Sequence, residues 1–235
     1  MINYFTFNGK SSLDFGIYVT GRYPYNTAEK DYTTVSVPGR NGDLFIFNNY
    51  KNVALSYPAI IMPSEDYRQN TIDIRNWLMA KDGYLQLEDT YNPDEIRLAT
   101  YSGSVSFETY LFKAGSTTLS FSCKPQRYLK TGQEPITITT SGSTITNPTE
   151  FEASPLIIVY GYGAFKINDT EVSISVSTYE HVDIDCEAMI CYNKDVNLNN
   201  YLVIGDFPTL KPGDNTITFD STITKMEITP RWWRI

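Results

Sequence analysis

The sequence predicts a mainly β fold, in which an N-terminal β-sandwich or small barrel carries one helix and a C-terminal β-sandwich follows. Two observations support this prediction. Aromatic residues make up 14% of the 235 residues, and Thr, Ile and Val are frequent, which is the composition of half-buried pleated strands. Short alternating apolar segments separated by Gly, Pro and Asn turns recur along the chain, as in sandwiches and barrels.

Strand patterns dominate the first half. Phe5 and Phe7 alternate with a polar residue and precede an Asn-Gly turn, which supplies the positive φ of a tight hairpin. A second turn is expected at residues 38–43, where Pro-Gly and Asn-Gly occur together. Further strands are expected at residues 17–20, 33–37, 44–47, 52–61, 83–88, 95–109 and 117–123, with Pro125 ending the last one.

One segment has helical spacing. Ser64 is placed to cap a helix over residues 64–81, with acidic residues in its first turn and Gly83 after its end. The apolar stripe consists of Tyr67, Thr71, Ile74 and Leu78, widened by Trp77. The sequence therefore predicts an α+β N-terminal domain over residues 1–130.

The composition changes between residues 131 and 150, where Thr, Ser, Gly and Pro dominate, and we expect a linker or domain boundary there. Residues 151–235 form the second predicted domain. Its strands are expected at residues 156–160, 165–167, 172–176, 182–186, 189–192, 216–219 and 223–229. No helical spacing interrupts this series, which predicts a sandwich of jelly-roll or lectin-like type.

The charge balance narrows the classes of partner. The formal net charge is −8, with 19 basic and 27 acidic residues, which argues against binding of a phosphate backbone. No apolar run is long enough to predict a membrane span. The start of the sequence has no signal-peptide pattern, so we expect synthesis in the cytoplasm. Cys123, Cys186 and Cys191 include no CxxC pair and are expected to be buried, reduced thiols.

The single histidine, His181, is the only imidazole available to a Ser-His-Asp triad. It lies in a strictly alternating segment, so His181, Asp183, Asp185 and Glu187 share one strand face. A metal site is one interpretation of this cluster, and the solvated face of a sandwich strand is the other. Same-face residues are nearly 7 Å apart, so one ion engages about two of them, and the solvated face is favoured. No cofactor and no catalytic residue are predicted.

Two further functions remain open from the residues alone. Abundant carboxylates are compatible with a glycosidase pair, although nothing selects one pair. Aromatic residues in the second half could form a sugar-stacking surface, but core packing uses the same residue types. These aromatic residues are Tyr160, Tyr162, Tyr192, Trp232 and Trp233. Adjacent Trp232 and Trp233 must face opposite sides of a strand, so we expect one of them to be buried between domains or subunits.

Several segments, in order along the whole chain, form a recognisable series. In the first half these are residues 5–9 (FTFNG), 12–16 (SLDFG), 37–44 (VPGRNGDL) and the F-x-C-x-P element within 121–128. This series resembles the N-terminal domain of the distal tail proteins (Dit) of siphophages. In the second half, residues 154–161 (SPLIIVYG) resemble the start of the family's galectin-like domain. Residues 182–187 (VDIDCE) and 210–217 (LKPGDNTI) also resemble parts of that domain.

The resemblance implies a non-enzymatic, structural tail-tip protein located in the virion. It implies a homo-hexameric ring, the baseplate hub, joining the tail tube protein to the tail-associated lysin or fibre-holding protein, with DNA passing through without specific binding. The N-terminal domains would form the ring, and the C-terminal galectin-like domains would point outwards. The alternative function is a carbohydrate-binding adhesion module acting through the C-terminal sandwich. The candidate ring-interface residues are Pro38, Gly39, Arg40, Asn41, Gly42, Trp232 and Trp233.

Overall fold

The computed structural model describes residues 2–21, 26–62, 66–104, 108–110 and 114–235. The chain divides into two compact units. The first contains residues 1–127 together with Ile235, and the second contains residues 128–234. The described residues contain no helix long and apolar enough to span a membrane.

The first unit is built on one antiparallel sheet. Its strands are β1 (Phe5–Phe7), β2 (Lys10–Ser11), β3 (Ile17–Val19), β6 (Val53–Ile61), β7 (Leu85–Asp89), β8 (Glu95–Tyr101), β9 (Glu108–Tyr110) and β10 (Ala114–Leu129). The strands β4 (Lys30–Val35) and β5 (Leu44–Tyr50) form a separate two-stranded sheet. The main order is β2-β1-β7-β8-β10-β6-β3, and β9 also pairs with β10. A bridge between Asn3 and Val19 connects the segment before β1 to β3, so the sheet curls back on itself.

The helix α1 (Tyr67–Met79) is shorter than the predicted 64–81. The side chain of Asp66 caps it by accepting a hydrogen bond from the backbone N–H of Gln69 at 2.9 Å. Ser64, the predicted cap, lies outside the described residues. The helix ends at Met79 with Ala80 as its C-cap, so Gly83 lies beyond the end without capping it.

The core of the first unit lies between the helix and one face of the sheet. Tyr67, Ile74, Trp77 and Leu78 are the buried helical residues, which confirms the predicted stripe except for the half-buried Thr71. They join Phe5, Phe7, Tyr57 and Phe121 in one cluster. Phe5 stacks on Tyr57 at a centroid distance of 5.0 Å, and the Trp77 indole N–H donates to the Phe7 carbonyl at 2.9 Å. The indole hydrogen bond satisfies the polar group that comes with burying a tryptophan.

The second unit is a sandwich of two antiparallel sheets. Its strands are β11 (Ile136–Ile138), β12 (Ser143–Asn147), β13 (Leu156–Gly161), β14 (Gly163–Ile167), β15 (Thr170–Ile174), β16 (His181–Asp185), β17 (Ile190–Asn193), β18 (Val196–Asn197), β19 (Leu202–Ile204), β20 (Gly213–Phe219) and β21 (Ile223–Thr229). The last strand, β22 (Trp233–Arg234), belongs to neither of these two sheets and pairs with β10. One sheet has the order β11-β21-β13-β16-β17-β18 and the other β12-β20-β14-β15-β19. Alternate residues of both sheets, including Ile157, Val182, Phe165 and Ile217, meet in one buried cluster.

The mainly β fold class with one α-helix is confirmed. Residues 131–150 differ from the expected linker, because β11 pairs with β21 and β12 pairs with β20 inside the second unit. Their Thr- and Ser-rich composition is that of edge strands with one solvated face, which local composition does not separate from a linker. Pro125 also does not end its strand. The pairing of β10 with β6 stops at Cys123, so the missing N–H of Pro125 removes no bond of that ladder.

Candidate assembly surface

The hairpin of β4 and β5, which we name the arm, is a sheet of its own between β3 and β6 along the chain. Its register runs from Lys30 opposite Tyr50 to Val35 opposite Leu44, with a bulge between Asp31 and Tyr32. A bulge increases the local twist of a hairpin. Among the described residues, neither edge of the arm pairs with a further strand.

The predicted turn at residues 38–43 forms the tip of the arm. Gly39 and Gly42 both have positive φ, at 80° and 81°, which residues with a side chain rarely adopt. The Arg40 N–H donates to the Val37 carbonyl at 3.1 Å and closes the turn. The five candidate residues at the tip, Pro38, Gly39, Arg40, Asn41 and Gly42, are all exposed.

Both faces of the arm are apolar and exposed. On one face Tyr32 lies opposite Phe47 and Thr34 opposite Phe45, and on the other Thr33 lies opposite Ile46 and Val35 opposite Leu44. Phe45 is 67% exposed, Ile46 53% and Phe47 47%. Four consecutive apolar residues, 44–47, place two side chains on each face of a strand, so a two-stranded hairpin cannot bury both pairs by itself.

The aromatic face has internal order. The ring of Tyr32 contacts the rings of Phe45 and Phe47 edge-on, at centroid distances of 5.8 and 6.0 Å, and Phe47 contacts Tyr50 at 5.0 Å. Edge-to-face pairs of this kind contribute about 0.5–1.5 kcal/mol each. These contacts orient the rings but leave them largely open to solvent.

The described ion pairs of the arm lie at its root. Lys51 forms ion pairs with Glu29 at 3.2 Å and Asp31 at 3.8 Å, and the Asn48 amide donates to Asp31 and Thr33. These pairs are exposed, so they add little to stability. A lone two-stranded hairpin is marginally stable in water, and an apolar one is a typical interaction surface.

The tryptophan pair does not need a second partner surface, which corrects our expectation. Trp232 is 4% exposed and belongs to the core of the second unit. Trp233 stacks on Phe151 at 4.4 Å, and its indole N–H donates to the Glu152 carbonyl at 2.8 Å. The two indoles do face different surroundings, but both surroundings belong to the second unit.

The His181 cluster is resolved into separate pairwise contacts. His181 Nε2 is 3.8 Å from Asp183 Oδ2, whereas both carboxylate oxygens of Asp185 accept hydrogen bonds from Arg231, at 2.8 and 3.0 Å. Glu187 is 3.7 Å from the same guanidinium. Within the described ranges, no group of His, Cys, Asp and Glu is arranged to hold a metal ion.

Arg231 was not predicted, although it organises this part of the second unit. Its φ is +59°, and its N–H donates to the Gly132 carbonyl at 2.7 Å. Burial raises the pKa of Asp185, but hydrogen bonds from the guanidinium and from the backbone of Ala188 outweigh it, so that the pKa lies below its usual value. Burial raises the pKa of Asp183, which has no such donor. The sequence contains no signal for the Arg231 contact because its partner is 46 residues away.

Most aromatic candidates for a sugar-stacking surface have partners in the second unit. The Lys225 ammonium lies 3.9 Å from the centre of the Tyr160 ring, and Tyr160 also contacts His181 and Glu227. Tyr192 is half-buried, and Tyr162 is 47% exposed. These aromatic side chains therefore do not form one open apolar platform.

The three cysteines are free thiols and all are buried. Burial raises the pKa of Cys123 to about 11, that of Cys186 to about 12 and that of Cys191 to about 11. Because the thiolate is the reactive form, these thiols are chemically quiet at neutral pH.

Comparisons with known proteins agree with this architecture. Residues 163–232 match the family model described as siphovirus-type tail component, C-terminal domain. The fold is similar to the crystal structure of the Dit protein of phage SPP1, with a TM-score of 0.76 at 13% sequence identity. The match covers 97% of this chain and 98% of that chain. The SPP1 protein is described as a paradigm of the hub adsorption apparatus in phages that infect Gram-positive bacteria. No curated protein matches the sequence.

Two further solved structures share the fold. A chain of the phage p2 baseplate in its activated conformation with calcium has a TM-score of 0.57 at 8% identity, covering 97% of both chains. Its strontium counterpart has a TM-score of 0.54 at 9% identity, covering 97% of this chain and 96% of that chain. The family match of the second unit and the shared fold over the whole length confirm the resemblance to siphophage distal tail proteins.

Proposed function

From the premise that residues 163–232 carry the C-terminal domain of a siphovirus-type tail component, we propose that this chain is a structural, non-enzymatic protein of a phage tail tip. It assembles as a hexameric ring, the baseplate hub, which joins the tail tube to the tail-associated lysin or receptor-binding apparatus. DNA passes through the ring, and the chain is synthesised in the host cytoplasm before it is built into the virion.

The arm is the observation that supports assembly. Its two apolar faces and two free edges need cover from both sides, and a closed ring supplies each arm with neighbours on both sides. Closure also removes exposed strand edges, which otherwise promote uncontrolled aggregation. The tip residues 38–42, our sequence-based interface candidates, are part of this arm, whereas Trp232 and Trp233 are occupied within the second unit.

The first unit would form the ring, because the arm belongs to it. The second unit is then available for outward contacts with the lysin or with fibre-holding proteins. A role in carbohydrate binding is not proposed, since the aromatic residues that would stack on a sugar are mostly engaged with neighbours of the same unit.

Light scattering and negative-stain microscopy of the purified chain test the proposal together. We expect a particle of about six times the 26.7 kDa chain mass, with six-fold symmetric top views. A strict monomer at all concentrations, with no ring after addition of tail tubes, would contradict the proposal. An open filament would contradict ring closure while leaving the arm as a contact surface.

A further inference from the structure

The sequence contains two Asn-Gly steps, and the structure places them in different surroundings. Asn8-Gly9 is the turn between β1 and β2, whereas Asn41-Gly42 lies at the tip of the arm. An asparagine side chain that precedes glycine is open to attack by the following backbone nitrogen, because glycine has no side chain to obstruct the approach. Both steps therefore have the residues for the same reaction, and the local structure decides which of them reacts.

The Asn8-Gly9 step is held in place. Its φ angles of 50° and 76° are those of a tight hairpin turn, in which both central residues have positive φ. The turn is joined to the sheet on its other side, because the Asn8 N–H donates to the Gln86 carbonyl at 2.9 Å. The side-chain oxygen of Asn8 also accepts a hydrogen bond from Lys81 at 3.4 Å. Any rearrangement of the backbone at Asn8 therefore breaks hydrogen bonds.

The Asn41-Gly42 step has no such support. Residues 36–43 lie between the last strand pair of the arm, Val35 opposite Leu44. Within the part of the chain that the structure describes, neither the Asn41 side chain nor the Gly42 N–H has a hydrogen-bond partner. Both residues are exposed, and a Cβ added to Gly42 would have no heavy atom within 4 Å. The step is accessible to water and its backbone has room to rearrange.

We propose that Asn41 is a site of spontaneous deamidation. The backbone nitrogen of Gly42 gives up its proton to solvent and forms a bond to the side-chain carbonyl carbon of Asn41. The side-chain nitrogen then takes a proton from solvent and leaves as ammonia, which completes a five-membered cyclic imide. Water opens the imide at either carbonyl and leaves aspartate or isoaspartate. The net reaction consumes water, releases ammonia and involves neither oxidation nor reduction.

The reaction changes the charge of the arm tip. The formal charges of Arg40 and Asp43 cancel, so one new carboxylate gives the tip a net charge of −1 and takes the chain from −8 to −9. Isoaspartate also lengthens the backbone within the tip. The inference concerns the single chain and does not rest on the proposed ring. Because the arm is the proposed subunit contact, the new charge would appear on a surface that matters for assembly.

The two steps should differ in rate by a measurable factor. The imide cannot close at Asn8 until its turn has opened, which costs the bond to Gln86 and at least one bond between β1 and β2. The loss of two backbone hydrogen bonds lowers the population of the opened turn by about tenfold or more. We therefore expect Asn41 to convert at least about ten times faster than Asn8.

The experiment follows both asparagines in the same sample. The unmodified chain is incubated at mildly alkaline pH, at a concentration at which sedimentation velocity shows single chains. Peptide mass spectrometry over time measures the fraction of aspartate and isoaspartate at each position, and isoelectric focusing of the intact chain follows the acidic form. Phe45→Thr, which weakens the proposed arm contact, supplies single chains at a higher concentration. Asn41→Gln is the matched control, because its longer side chain keeps the amide but does not form the five-membered imide.

We expect the acidic form to accumulate in the unmodified chain and in Phe45→Thr, and to be largely lost in Asn41→Gln. Equal conversion at the two positions in single chains, or faster conversion at Asn8, would overturn the inference. An acidic form of undiminished amount in Asn41→Gln would also contradict Asn41 as its source. Absence of rings in the unmodified protein would refute the proposed function and leave the conversion at Asn41 as expected.

Discussion

Replacing Phe45 by Thr tests whether the arm is the contact that closes the proposed ring of subunits. Phe45 is 67% exposed in the single chain, and burying a whole phenylalanine side chain contributes about 1.5–3 kcal/mol. Covering the exposed part would therefore contribute about 1–2 kcal/mol at each subunit contact. Threonine keeps the β propensity of the strand while removing the aromatic side chain.

The loss per contact corresponds to a factor of about ten in an equilibrium constant. We expect the chain concentration at half assembly to rise by about tenfold or more, because every contact in the closed ring is weakened in the same way. Sedimentation velocity over a concentration series measures this midpoint. The melting temperature of the dissociated chain should fall by no more than about 6 °C, since the lost edge contact with Tyr32 contributes about 0.5–1.5 kcal/mol.

Val203→Thr is the matched control. Val203 is 69% exposed on β19 in the second unit, so its loss of exposed apolar area does not involve the arm. We expect it to assemble like the unmodified chain. Equal assembly midpoints for Phe45→Thr and Val203→Thr would refute the role of the arm. A large fall in melting temperature for Phe45→Thr would show that the Phe45 side chain packs within the single chain.

Three further predictions concern stability and reactivity. Gly132→Ala should destabilise the second unit by about 1–3 kcal/mol, since its Cβ would lie 2.4 Å from the Trp232 backbone nitrogen, whereas Gly205→Ala, with open space around it, should change little in urea denaturation. Asp185→Asn should cost about 1–3 kcal/mol at pH 7. Because the folded-state pKa of Asp185 is lowered, this contribution is present above the unfolded-state pKa of about 4 and is lost as the pH falls through the folded-state pKa, so the stability difference between the variant and the unmodified protein should shrink as the pH falls below about 4. A thiol-reactive disulfide reagent at pH 7.5 should label Cys123, Cys186 and Cys191 only after unfolding, and rapid labelling of the folded protein would contradict their burial.

Several elements could be predicted because their signals are local. The alternation along Val53–Ile61 places every second side chain in the core, and the structure buries Val53, Leu55, Tyr57, Ala59 and Ile61. The helix also followed from its own spacing, although its start moved to the cap at Asp66. The fold class followed from the summed pattern of many such segments.

Other features depend on partners distant in the chain. Residues 131–150 have the composition of a linker, but they contain the strands β11 and β12, because β21 and β20, more than 60 residues away, supply the hydrogen bonds of these strands. Trp233 needed no second subunit because Phe151 lies beneath it. The apolar run 44–47 predicts a strand equally well whether its faces are covered or open.

By itself, the sequence determined the strand and helix periods, the acidic balance, the buried thiols and the turn chemistry of residues 38–43, since each depends on residues adjacent along the chain. The tertiary structure alone decided that the arm stands apart with both faces exposed and that Arg231 binds Asp185. The physical reason is that exposure and pairing depend on which distant segments pack together. A local pattern specifies which face of a strand is apolar, but it does not specify what covers that face.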